Sequence, residues 1–177
     1  MRQHDITTVI PAREGSRRLR NKNVAPFAVT NLLLNKIEQL KKVKEVSRIV
    51  VSSGSDMMLA MAREVGVLTH KRGAEYYDER TKTFGEVVRH VAESIEGEHI
   101  LWATCTSPLL FSKTYRTAIA EYFSALKKGF DFIVSFEVIK RYLWDEKGPV
   151  NYELGNKDAT RKHDQLHPYH AQGAFAL

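Results

Sequence analysis

VIPAREGSRRLRNKN, residues 9–23, begins within a β-branched run that opens at Ile6 and closes at Pro11. A short β-branched segment ended by proline suits a buried first strand. Beyond it come a Gly-Ser pair and five cations within ten positions: Arg13, Arg17, Arg18, Arg20 and Lys22. A Gly-Ser turn after a buried strand lets backbone N–H groups approach a phosphate. Flanking Arg and Lys side chains then neutralise a polyphosphate. The spacing is neither G-x-G-x-x-G nor G-x-x-x-x-G-K-[ST], so two common nucleotide fingerprints are absent. A nucleic-acid surface would interleave aromatics or present the charges along a helix face, and no aromatic occurs in the run. Three readings stay open: a phosphate loop, which the position favours, a nucleic-acid patch, and a solvated charge run.

Outward from this stretch, strand and helix patterns alternate. LLLNKIEQLKKVKEV (32–46) is an amphipathic helix with Leu33, Ile37, Leu40 and Lys44 along one row, Val43 beside it and a basic outer face. RIVVSS (48–53) is a second strand. SDMMLAMAREVG (55–66) opens on capping candidates and closes on a glycine suited to the residue after a helix. VLTHKR (67–72) is a third strand. Thr83 and Glu86 stand in capping-box spacing before the next helix. HILWA (99–103) is a fourth strand, Ser112 caps a helix running to Gly129, and DFIVSFEV (131–138) is a fifth strand. Such alternation implies βαβ crossovers and a mostly parallel sheet. Ligands then sit at the carboxyl ends of the strands. The segments after strands one, two and four should meet there: AREGSRRLRNKN, SSGSD and TCTSPL. Beyond Val138, KRYLWDEKGPVNYE reads as a hairpin around residues 145–148, and LGNKDATRKHDQLHPYH as an irregular arm outside the sheet. GAFAL (173–177) reads as the start of another core strand, which points either to further sequence beyond Leu177 or to a short edge strand.

The 177 residues fit one domain with a small appendage. A hydrophobic share of 43% allows a core, and a net charge of +6 favours an anionic partner. Cys105 is the one cysteine, so no internal disulfide forms. Neither a signal peptide nor an apolar run of roughly 18 residues is present. These features read as a cytoplasmic protein without membrane contact.

IPAREGSRRLRNKNVAPF (10–27) resembles the amino-terminal signature of CMP-sialic acid synthetases and related CMP-nonulosonate cytidylyltransferases, Ile/Val-Pro-Ala-Arg-x-Gly-Ser-Lys/Arg, a spacer, then Lys-Asn. RIVVSSGSD, HKR, TSPL and QGAF are similar to later family motifs in the same order. The resemblance implies a three-layer α/β/α nucleotidyltransferase fold, Rossmann-like with a mostly parallel sheet, and a protruding dimerisation arm. It divides the chain into a nucleotide-binding α/β domain (1–138), an arm on the sugar side (139–170) and a strand returning to the main sheet (171–177). The implied reaction is attack of an acidic sugar's anomeric hydroxyl on the α-phosphate of CTP, with release of pyrophosphate. Mg2+ is implied as cofactor, with no ligand identifiable in this chain, and the implied assembly is a homodimer without nucleic acid.

Carried over residue by residue, the resemblance assigns Arg13 and Lys22 to catalysis. It assigns Ala12, Arg13, Gly15, Ser16, Arg17, Lys22, Asn23, Arg72 and Thr83 to the nucleotide, although a capping box alone would explain Thr83. Thr104, Arg161 and Lys162 fall on the sugar side. The chain departs from the family where Thr104 replaces a Gln, Cys105 a Pro, Gly54 an Asp and Gln172 an Asn. Cys105 reads as a small buried or half-buried residue without a nucleophilic role. His163, His167 and His170 raise a structural metal site, but Pro168 interrupts a helix there and no second ligand cluster accompanies them. Two alternatives keep the fold: a nucleotidyltransferase for another sugar or nucleotide, and a non-catalytic nucleotide-binding remnant.

Overall fold

In a computed structural model, residues 4–13, 19, 21–76, 81–138, 143–150 and 169–176 are described. Strand β1 (Ile6–Pro11) is buried along all but its last residue. The chain then forms a 3-10 turn (Lys22–Val24), a two-residue hairpin of β2 (Pro26–Phe27) and β3 (Thr30–Asn31), helix α1 (Leu32–Lys41), β4 (Arg48–Ser53), α2 (Asp56–Glu64) and β5 (Leu68–Lys71). A second 3-10 turn (Ala74–Tyr76) precedes α3 (Phe84–Glu93), β6 (His99–Trp102) and α4 (Ser112–Leu126).

Four strands form a parallel sheet in the order β5-β4-β1-β6. Val9 of β1 stands opposite Val50 of β4 on one side and Trp102 of β6 on the other. Both faces are covered, as βαβ crossovers require. Ile6, Ile10, Val51 and Leu101 pack with Leu33, Ile37, Met58, Leu59, Tyr115 and Ile119 of α1, α2 and α4. Val9 and Trp102 pack with Val91 of α3. The strand period of two sends Ile6 and Ile10 to one layer and Val9 to the other. The first unit is therefore a parallel sheet covered by helices on both faces, the α/β arrangement that the alternating pattern implied.

Local signals explain most element ends. Asn31 caps α1 by accepting from the Leu34 N–H at 2.9 Å. Gly66 adopts φ +73° after α2, a left-handed turn that glycine takes without strain. Gly97 is required by a close approach, since a Cβ there would lie 2.6 Å from the Thr7 hydroxyl. Two caps differ from expectation. Ser112 is the first residue of α4 and Phe111 takes the cap position, with no side-chain cap bond. Ser55 occupies the α2 cap position without capping through its side chain. Helix α1 stops at Lys41, so Lys44 lies beyond it and is exposed. Its basic outer face is also incomplete, because Lys36 is fully buried.

The chain divides into two compact units, Met1–Ile133 with Ala174–Leu177, and Val134–Gly173. Among the described residues, the expected fifth strand, β7 (Val134–Val138), is not paired with the four-stranded sheet. After the hairpin of β8 (Trp144–Asp145) and β9 (Gly148–Pro149), β10 (Tyr169–Ala176) pairs with β7 in a separate two-stranded sheet. The strand expected to return to the main sheet has β7 as its neighbour among the described residues. Period-two patterning identifies a strand but does not choose its partner. The hairpin stands where expected; Asp145 Oδ1 accepts from the N–H groups of Lys147 and Gly148 at 2.7 and 3.1 Å. Of the arm expected at 139–170, residues 139–142 and 151–168 lie outside the described residues, and Trp144 is exposed.

The capping box of α3 is complete. Thr83 Oγ1 accepts from the Glu86 N–H at 3.3 Å, and Glu86 Oε2 accepts from the Thr83 N–H at 2.8 Å. The backbone and hydroxyl of Thr83, then Lys82, hold the Glu86 carboxyl down at about 2. Thr83→Ala should cost about 1 kcal/mol in chemical denaturation, and Thr83→Ser close to nothing. A carboxyl with a depressed folded pKa contributes above its unfolded pKa and loses that contribution as pH falls. The gap in melting temperature between wild type and Glu86→Gln should therefore narrow as pH falls from 4.5 towards 2. A constant gap would contradict the charge-assisted box.

Candidate active site

At the carboxyl ends of β1, β5 and β6 the first unit opens a cleft of about 400 Å³. Its cationic residues are Arg13, Lys22, Arg72 and Lys82. Tyr76, Phe84, Val87 and Trp102 form an apolar wall, and Thr104, Cys105 and Thr106 follow β6 along the rim. Sheet topology explains the convergence. Parallel strands place every outgoing loop at one edge, and α3 starts there with Thr83 and Phe84.

The chain leaving β1 is fixed from several sides. The Ala12 N–H donates to Ser52 O at 2.9 Å, and Arg72 Nη2 donates to Ala12 O at 3.1 Å. Asn23 Nδ2 donates to Arg13 O at 3.2 Å, bringing the two ends of the basic run together. Asn21 enters the intervening 3-10 turn at φ 53°, a conformation that asparagine tolerates better than most residues. Asn23 is buried, and part of its role is thus to close its own loop.

Arg72 is the electrostatic centre. It is only 5% exposed, its Nη1 reaches Tyr76 O at 3.5 Å, and its buried Nε has no hydrogen-bond partner among the described residues. Burial, then the neighbouring charge of Arg13, lowers its pKa to about 10. It stays cationic at neutral pH. A buried guanidinium with an unmatched donor beside a second guanidinium calls for an anion.

Of the residues expected to bind nucleotide, Arg13, Lys22, Asn23, Arg72 and Thr83 line this one cleft, as does Thr104, which was expected to face a sugar. Ala12 is fully buried beside it and contributes its carbonyl to Arg72. The Thr83 hydroxyl is engaged by Glu86. Gly15, Ser16, Arg17, Arg161 and Lys162 lie outside the described residues, as do Arg18, Arg20, His163 and His167 and the side chain of His170. The segment SSGSD does not line the cleft. Lys71 Nζ instead binds Gly54 O at 2.8 Å and Asp56 Oδ1 at 2.6 Å, and Arg72 supplies the next wall. Sequence reasoning missed Tyr76, Lys82, Phe84, Val87 and Trp102. Trp102 ends a strand and Phe84 begins a helix at the ligand edge, which was the available signal. Phe84 is 71% exposed and meets Trp102 edge-on at 6.0 Å.

The described lining contains no carboxylate, and no group of three His, Cys, Asp or Glu suited to a metal occurs among the described residues. These residues do not form a site for the implied Mg2+. No helix of the described residues is long and apolar enough to cross a membrane.

A protein-family model described as Cytidylyltransferase matches residues 7–150. No curated protein matches the chain significantly. Among solved structures, CMP:2-keto-3-deoxy-manno-octonic acid synthetase complexed with CTP superposes with a TM-score of 0.69 at 12% identity, over 98% of this chain and 73% of that one. A cytidylyltransferase from Leptospira borgpetersenii serovar Hardjo-bovis gives 0.61 at 22% identity, over 75% and 54%. The 4-diphosphocytidyl-2C-methyl-D-erythritol synthase of Anaerococcus prevotii gives 0.64 at 14% identity, over 99% and 70%. At these identities the superpositions establish the fold.

Cys105 is 1% exposed, and burial pushes its thiol up to about 12 from 9.0. On the order of a thousandfold less thiolate then exists below pH 9 than in an unfolded chain. Labelling by a disulfide reagent at pH 8 should be at least about 100-fold slower in the native protein than in denaturant. Equal rates would mean an activated, accessible thiol.

Proposed function

The chain belongs to the cytidylyltransferase family, and from that premise we propose that this cleft binds CTP and transfers its CMP moiety to the anomeric hydroxyl of an acidic, sialic acid-like sugar. The supporting observation is Arg72, with its unmatched Nε among the cations Arg13, Lys22 and Lys82. In this reading the triphosphate lies over Arg13, Lys22 and Arg72. The pyrimidine and ribose lie against Phe84, Val87 and Trp102.

The anomeric oxygen forms a bond to the α-phosphorus while the bond from that phosphorus to the bridging oxygen breaks. Pyrophosphate leaves with the electron pair, and the hydroxyl proton passes to solvent. Charge grows on the departing pyrophosphate, so fixed cations aimed there lower the barrier electrostatically. Arg13 and Lys22 take that role. Arg72 is held by Ala12 O and reorganises little during the reaction. Asn23 keeps the basic loop closed through Arg13 O.

The acidic character of the acceptor is supported by the sequence resemblance and by the excess of cations over carboxylates in the described lining. Thr104 lines the cleft, and a carboxylate-binding role for Arg161 and Lys162 rests on the sequence resemblance. Mg2+ finds no ligand among the described residues, and no step above runs through it. A cytoplasmic homodimer is part of the same reading.

CTP should raise the melting temperature more than UTP, GTP or ATP, because a ligand held only by the native state stabilises it. With CTP and a panel of acidic sugars, pyrophosphate release should appear. Arg13→Ala and Lys22→Ala should each lower kcat/KM by about 10²–10³ while leaving the melting temperature nearly unchanged. No shift with CTP, or an equal response to all four nucleotides, would overturn the assignment.

A further inference from the structure

Lys36 plays no part in the chemistry above, yet it is fully buried on α1. Its ammonium donates at 2.8 Å to Gln39 Oε1, at 2.9 Å to Ser107 O and at 2.9 Å to the Tyr115 hydroxyl. Three protons thus meet three acceptors, which is the condition for burying an ammonium. Two neighbours on the same helix extend the grip. Gln39 Nε2 donates to Pro108 O at 2.6 Å, and Asn35 Nδ2 reaches the same oxygen at 3.3 Å. Consecutive carbonyls, of Ser107 and Pro108, are therefore held by three side chains of one helix.

The segment held in this way is the one that carries Thr104, Cys105 and Thr106 to the cleft. Residues 104–108 follow β6 without belonging to a strand or helix, so no ladder fixes them. Helix α1 is a firm mount, since Leu33, Ile37 and Leu40 lock it into the main core. An apolar side chain of similar volume would usually stabilise such a position at least as well as a buried charge. A lysine there is explained by the geometry it imposes.

We propose that Lys36, with Gln39 and Asn35, is a positioning residue that fixes the loop at 104–108 as one wall of the ligand cleft. Its consequence for nucleotide rests on the cytidylyltransferase reading; the clasp itself rests only on the contacts. Two variants separate the clasp from general stability. Lys36→Met removes the central donor. Asn35→Ala removes one carbonyl contact and leaves no buried charge behind.

Amide hydrogen exchange on the whole chain without ligand, together with CTP titration, tests the proposal. Expected is exchange at least about tenfold faster at 104–108 in Lys36→Met, with a smaller rise in Asn35→Ala and unchanged exchange in β1 and β4. CTP affinity should fall by about tenfold or more in Lys36→Met and less in Asn35→Ala. Unchanged exchange at 104–108 in both variants would overturn the proposal. So would a rise spread evenly across the sheet in both, the signature of a merely structural lysine, or CTP affinity equal to wild type despite a loosened loop. A wild-type protein that ignores CTP would overturn the nucleotide reading, and loop exchange alone would then decide the clasp.

Discussion

The cleft depends on how the carboxyl end of β1 is held. This strand has parallel neighbours on both sides and is buried on both faces. Where it ends, its backbone groups lose their ladder and need other partners. Ser52 O takes the Ala12 N–H, Arg72 takes the Ala12 carbonyl, and Asn23 takes that of Arg13. Each of these partners comes from a different segment. The bonds that satisfy the strand end therefore also draw the basic run, the end of β5 and the 3-10 turn around one space.

The same arrangement concentrates charge. Arg72 is buried beside Arg13, with Nη2 on the Ala12 carbonyl, Nη1 reaching that of Tyr76 and Nε unmatched among the described residues. Like charges in a poorly solvated place raise the free energy of the empty site. An anion relieves both the repulsion and the missing hydrogen bond. The apolar wall of Phe84, Val87 and Trp102 stands in the same cleft. Anionic and flat apolar parts in one ligand describe a nucleotide better than free phosphate. The loop at 104–108 completes this space, and its support from Lys36 links the cleft to the core through α1.

Much of this was legible in the sequence because the signals were local. Alternating strand and helix periods gave the parallel sheet, and Thr83 with Glu86 gave the start of α3. The basic stretch after a buried β1 marked a phosphate-loop candidate, and the resemblance singled out Arg13 and Lys22 within it. Arg72 came from resemblance alone, since nothing local in HKR distinguishes a buried arginine from a solvated one. Lys36 was not singled out, and the basic outer face read for α1 gives no hint of a buried lysine. Its acceptors Ser107 and Tyr115 lie 71 and 79 residues away, so no helical window contains them. The pairing of β7 with β10 was missed because alternation marks a strand without naming its neighbour. SSGSD looked like a ligand loop, but an ion pair between Lys71 and Asp56 occupies that segment instead.

A crystal structure with CTP bound tests this picture most directly. The triphosphate should lie within hydrogen-bonding distance of Arg13, Lys22 and the Nε of Arg72, with the cytosine against Phe84 and Trp102. Nucleotide bound away from this cleft, or bound within it with Arg72 Nε still unpaired, would contradict the central role given to the buried arginine.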